Sequence, residues 1–167
     1  MTKPDREICG YYDASIWESA RKRGDTALKR LINSGLDQTS NTCVLIGSQT
    51  YERPWVRYEL LKSFKKGNNI FGVHINSIKS KGGQTNIKGP NPLEYVGVTF
   101  SASGLTATLW EIVNRKWIEY DRIDGSSSFR VEVAQKHRGN SYNLSNFYSV
   151  YDWVGDDGFD NFSTWVG

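Results

Sequence analysis

The sequence has little of what would mark a metal or disulfide protein. Two cysteines, Cys9 and Cys43, and two histidines, His74 and His137, are all that its 167 residues contain. Two thiols build no disulfide framework, and no His/Cys cluster has zinc-ligand spacing, so no metal site is expected. Strand-favouring residues flank each cysteine, and both read as buried thiols. With 16 glycines and four prolines, collagen-like and low-complexity readings fail. No apolar run approaches the ~18 residues that span a bilayer, and the start, Met1-Thr2-Lys3-Pro4-Asp5, is too polar for a secretory signal. A cytoplasmic protein that engages no membrane is expected. Lys and Arg outnumber Asp and Glu by only 21 to 18, a formal +3, which gives no argument for nucleic acid.

What is present reads as alternating helices and strands. Residues 8–13, ICGYYD, form a short β-branched and aromatic run that ends at the turn-favouring Asp13 and Ser15. Asp25 is placed to cap a helix whose Ala27, Leu28, Leu31 and Ile32 share one face, with Gly35 as its left-handed stop. Residues 42–46, TCVLI, are apolar on both alternating sets, which predicts a strand covered on both faces of a parallel sheet. Gly47-Ser48-Gln49-Thr50 is a polar turn. Pro54 suits the first position of a helix running to Lys66, stopped by Gly67-Asn68-Asn69. Residues 70–75 give a second buried strand, and the alternation is an α/β layout.

The character then changes. Residues 79–92 are rich in Gly, Lys, Asn and Pro and read as an exposed connection. Residues 95–100, 105–112 and 116–120 read as an antiparallel meander. Residues 143–165 carry Phe147, Tyr148, Tyr151, Trp153, Phe159, Phe162 and Trp165, an aromatic density expected of a segment clamped onto the body. Asp156-Asp157-Gly158-Phe159-Asp160 is no EF-hand, because Trp153 and Gly155 stand where oxygen ligands are needed. The whole chain, 1–167, is expected to be one domain.

In open α/β sheets, ligands bind at the carboxyl ends of the strands. Asp13-Ala14-Ser15, Gly47-Ser48-Gln49-Thr50 and His74-Ile75-Asn76 end there. Trp55 and Glu59, four apart, share a helix face one turn from that edge, where a carboxylate can stabilise positive charge. On spacing alone a solvated pair such as Glu59 with Lys62 is the preferred account, since W-x-x-x-E is common by chance.

The runs Asp13-Ala14-Ser15-Ile16-Trp17-Glu18, Ala27-Leu28-Lys29-Arg30-Leu31-Ile32-Asn33, 42–50, Trp55-Val56-Arg57-Tyr58-Glu59 and Val150-Tyr151-Asp152-Trp153-Val154 resemble the TIR-like domain family of Thoeris ThsB antiphage-defence proteins. The resemblance implies a flavodoxin-like fold, NAD as substrate rather than cofactor, and a cyclic ADP-ribose-type product that activates a ThsA-like effector after a phage-derived trigger. It places the catalytic glutamate on Glu59 and substrate contacts on Trp55, on Ser48 and Gln49 in the loop after strand 42–46, and on Asp13 and Trp17 in the loop after strand 8–13. NAD's nicotinamide is already cationic and leaves without a general acid, so one carboxylate facing the ribosyl cation suffices. The resemblance also implies that a βα unit of roughly 25–30 residues, including the central first strand, is missing, which would leave strands 8–13 and 42–46 with unpaired edges. The alternatives are a non-catalytic TIR-like assembly module or an inactive fragment of the enzyme.

Overall fold

The computed structural model describes residues 14–167; the expected strand at residues 8–13, with Cys9 and Asp13, lies outside the described residues. The described residues open with two helices, α1 (Ala14–Lys22) and α2 (Asp25–Asp37). These lead to strand β1 (Asn41–Ile46), helix α3 (Pro54–Lys66) and strand β2 (Asn69–His74). Five short antiparallel strands follow: β3 (Val96–Phe100), β4 (Thr106–Val113), β5 (Lys116–Glu119), β6 (Ser128–Arg130) and β7 (Ser141–Asn143). The last elements are β8 (Val150–Asp152) and α4 (Gly158–Val166).

Two sheets result. The first is parallel, in the order β1-β2-β8, with Thr42 opposite Ile70 and Gly72 opposite Val150. The second is antiparallel, in the order β5-β4-β3-β7, with β6 also paired to β4. The expected meander is its centre; its tightest link is Asn114-Arg115, both at positive φ, as a two-residue hairpin turn requires. Helix α3 packs against β1, β2 and β3 and so joins the sheets. Its Tyr58, Leu60 and Leu61 are wholly buried in one apolar cluster with Val44, Ile70, Val98 and Leu109. This is a parallel sheet with flanking helices beside an antiparallel sheet, the α/β layout expected.

Pro54 starts α3 and Gly67, at φ 83, ends it, as expected. Residues 79–91 contain no helix or strand. Four local expectations need correction. Asp25 is the first residue of α2 rather than its cap: Gly24 holds the cap position, and the Asp25 carboxylate lies 3.4 Å from Arg122. Gly35 does not stop α2, which continues to Asp37 because Leu36 extends the buried stripe of Leu28 and Ile32. Trp17 sits within α1, not in a loop. Strand β1 is covered on one face only: Thr42, Val44 and Ile46 are buried, but Leu45 is 55% exposed and Cys43 half-buried. Among the described residues β1 pairs with β2 alone.

The aromatic tail contributes a strand that composition alone did not suggest. β8 pairs with β2, and Tyr151 stacks on Trp165 at 4.3 Å while Phe162 rests on Phe71 at 5.9 Å. Phe147 and Tyr148 instead pack onto Phe64 of α3. Phe159 stays outside, 86% exposed. The neighbouring acidic loop uses its carboxylates on its own backbone: Asp152 accepts from the amides of Val154 and Gly155, and Asp156 accepts from that of Asp152.

Candidate active site

Glu59 lines a trough of about 600 Å3 alongside β1. Helix α1 contributes Trp17 to its wall, α2 contributes Ile32 and Leu36, β1 contributes Cys43 and Leu45, and the C-terminal segment contributes Phe162. The trough exists because aromatic and aliphatic side chains from four elements converge beside β1.

The carboxylate is poorly solvated in this setting. Burial pushes the Glu59 carboxyl up to about 7, against an ordinary value of 4.5. None of the ion pairs among the described residues includes it; Lys62, the partner a solvated pair would need, reaches toward Asp124 at 3.9 Å instead. The Cys43 thiol nearby is pushed up to about 11, first by burial and then by the Glu59 charge. That makes it a poor nucleophile, because only thiolate reacts. A carboxyl group titrating near neutrality in an apolar trough is poised to ionise when a cation enters.

Several contacts fix how α3 presents Glu59. Arg57 Nη1 lies 3.1 Å from Glu111 on β4, and Arg57 Nε donates to the Tyr51 carbonyl at 3.3 Å. Tyr58 donates to Asn33 Oδ1 of α2 at 3.0 Å. At the far end of the helix, Ser63 and Thr42 hydroxyls pair at 2.9 Å inside the core. The helix is held on three sides.

The other expected site residues are spread out. Trp17 and Glu59 meet in the trough. Trp55 does not line it: its ring meets Tyr58 edge-on at 5.8 Å and lies under the Arg122 guanidinium at 5.4 Å. Four-residue spacing shares a face only approximately, and the neighbours of Trp55 draw it toward the antiparallel sheet. Ser48 and Gln49 are exposed in the turn after β1, where Gly47 N–H donates to Thr50 Oγ1 at 2.9 Å. Gly89 closes on that turn so tightly that a Cβ there would stand 2.1 Å from the Gly47 carbonyl oxygen. Asp13 lies outside the described residues.

At the carboxyl end of β2, His74 is 7% exposed, and both its Nδ1 and Asn76 Oδ1 are buried without a partner among the described residues. Burial and then the Lys88 ammonium hold His74 below its usual value, opposed by the Asp152 carboxylate. Sequence reasoning placed this segment at the ligand edge but did not single out either residue. It missed Phe162 and Trp153 as trough residues altogether, since nothing local marks residues so far along the chain from Glu59.

Residues 4–80 match the family described as "Thoeris protein ThsB, TIR-like domain". Over 168 aligned residues the chain is 51% identical to a Bacillus cereus (strain MSX-D12) protein named "Putative cyclic ADP-D-ribose synthase ThsB1", covering 99% of this chain and 86% of that relative.

Proposed function

This chain belongs to the TIR-like ThsB family of Thoeris proteins, and from that premise we propose that it cleaves NAD and cyclises the ADP-ribose half into a signal of antiphage defence. The observation that carries the reading is Glu59: a carboxyl group raised to about 7, with no ion-pair partner among the described residues, in a trough that also holds Trp17. The bond between the ribose anomeric carbon and the nicotinamide nitrogen breaks, and nicotinamide leaves neutral with the bonding pair. The positive charge left on the ribose faces Glu59, whose carboxyl group ionises, releasing its proton to solvent, as the cationic nicotinamide ring enters. A nucleophilic atom of the adenosine half then bonds to the anomeric carbon and gives up its proton to Glu59 or solvent. The apolar walls keep water from competing, and holding both ends of one molecule together supplies much of the barrier reduction. Trp17 packs against the substrate; Ser48, Gln49 and Asp13 act at the rim, and Trp55 supports the helix. The product activates a ThsA-like effector, and a phage component triggers synthesis in the cytoplasm.

The test is direct. Purified protein, alone and with extract of phage-infected cells, is incubated with NAD while nicotinamide and cyclic product are followed by mass spectrometry. Turnover that depends on Glu59 supports the reading; turnover equal in Glu59→Gln, or none under either condition, overturns it.

A second reading is favoured by the 55% exposed Leu45 on β1, a strand that among the described residues pairs with β2 alone: a module that signals by assembly rather than catalysis. It predicts association in solution that is lost in Leu45→Lys and indifferent to Glu59→Gln.

A further inference from the structure

The outer face of the antiparallel sheet holds a second cavity, of about 290 Å3, distinct from the Glu59 trough. Strand register brings its parts together. Gly97 of β3 lies between Trp110 of β4 and Asn143 of β7, Thr99 lies beside Ser141, and Trp117 of β5 sits opposite Ile112, the next residue on that face after Trp110. Two indoles and a row of hydroxyl and amide groups therefore share one surface.

Three observations say what fits there. First, Trp110 Nε1 is buried and has no acceptor among the described residues. An indole N–H left that way costs free energy, which a ligand oxygen recovers once the Trp110 ring turns its edge to the cavity. Second, Gly97 makes room for the aromatic floor. A Cβ at this position would stand 2.8 Å from the Tyr142 carbonyl oxygen and 3.3 Å from the Trp117 ring, so the missing side chain lets that ring lie across the strand. Third, the lining carries no charged side chain; its polar groups are the hydroxyls of Thr99 and Ser141, 2.7 Å apart, and the Asn143 amide. The nearby Glu119 carboxylate is turned to the Ser127 hydroxyl at 2.6 Å.

We propose that this face binds a neutral saccharide ring. Such a ring presents C–H bonds on its faces, which pack on indoles, and hydroxyls around its rim that both donate and accept. That matches a floor of Trp117, an orphan donor on Trp110 and a rim of Thr99, Ser141 and Asn143. A phosphate or carboxylate finds no cation among the lining residues. A flat base satisfies the floor but carries polar groups only in its own plane, leaving the hydroxyl pair unused. The site is independent of the NAD reading, because none of its residues lines the trough.

The experiment is isothermal titration of the full chain with glucose, galactose and N-acetylglucosamine, with glucose 6-phosphate and adenosine as comparators. At least one neutral sugar is expected to bind saturably, and more tightly than either comparator. Trp117→Ala should weaken it by at least about fivefold, the scale of one lost stacking contact. Thr99→Val, which keeps shape and removes a hydroxyl, should weaken it less but measurably, and it serves if Trp117→Ala does not fold. Failure of all three sugars to bind overturns the proposal, as does tighter binding of adenosine or equal binding by the folded variants.

Discussion

Arg57 Nη1 stands 3.1 Å from a Glu111 carboxylate oxygen, and each side chain is only 13% exposed. This pair ties the helix that carries Glu59 to the central strand of the other sheet. Removing one member leaves the other charge buried without its partner, a larger penalty than the intact pair is worth. Glu111→Ala should cost roughly 2–3 kcal/mol in urea denaturation and should lower NAD turnover with it. Replacing both residues with apolar ones of similar size should recover much of the stability. If turnover recovers fully as well, the pair sets stability alone and does not position α3.

Glu59→Gln should reduce NAD turnover by at least ~10²-fold, the scale of losing one preorganised electrostatic contact. The same substitution should stabilise the protein at alkaline pH. Burial raises this carboxyl group from 4.5 to about 7, so the unfolded chain releases the proton more readily than the folded one. Stability associated with Glu59 is therefore complete below pH 4.5, declines as pH rises through that window, and is lost above about 7. Thermal melts at pH 4.5 and 8 should converge for the two proteins at the lower pH and differ by on the order of 2 kcal/mol at the higher. Parallel curves at both values would show that Glu59 is not desolvated.

Cys43 should alkylate about a hundredfold more slowly than an ordinary thiol at pH 8. Its thiol is pushed from 9.0 up to about 11, first by burial and then by the Glu59 charge. Peptide-level mass spectrometry after iodoacetamide treatment measures this, and Glu59→Gln should speed the reaction modestly. Fast labelling in the unmodified chain would mean that the β1 edge is far more open than its half-buried position indicates.

Gly89→Ala should disturb the turn after β1, because the new Cβ would collide with the Gly47 carbonyl oxygen and approach the Ser48 Cα at 2.9 Å. Overpacking against backbone costs about 1–3 kcal/mol. A melting temperature unchanged from the parent would show that residues 79–91 do not rest on this turn.

The elements that could be read in the sequence are those whose signals are local. Pro54 and Gly67 bracket α3 by backbone preference, and residues 42–46 and 70–75 are apolar runs too short for helices. The meander announces itself through Ser103-Gly104 and Asn114-Arg115. Where a local preference met a tertiary one, the tertiary one won. Leu36 carries α2 past Gly35, and the Arg122 guanidinium stands over Trp55 on the side away from the trough. Strand β8 is three residues long and is a strand only because β2 offers it a partner, so no window around Val150 could reveal it. The site was legible to the same extent: Glu59 and Trp17 follow from resemblance, whereas Phe162 enters through packing over a hundred residues away.

The order of the parallel sheet also has a bearing on how the protein is made. β8 adds beside β2 from the last part of the chain, and Phe162 and Trp153 close the trough from the same stretch. A nascent chain that has emerged only as far as β7 holds Glu59 but lacks that strand and that wall. On the reading given above, the ability to consume NAD cannot precede the synthesis of β8 and α4. The sequence order of the strands thus works as a timer, withholding a costly activity until these late elements are made.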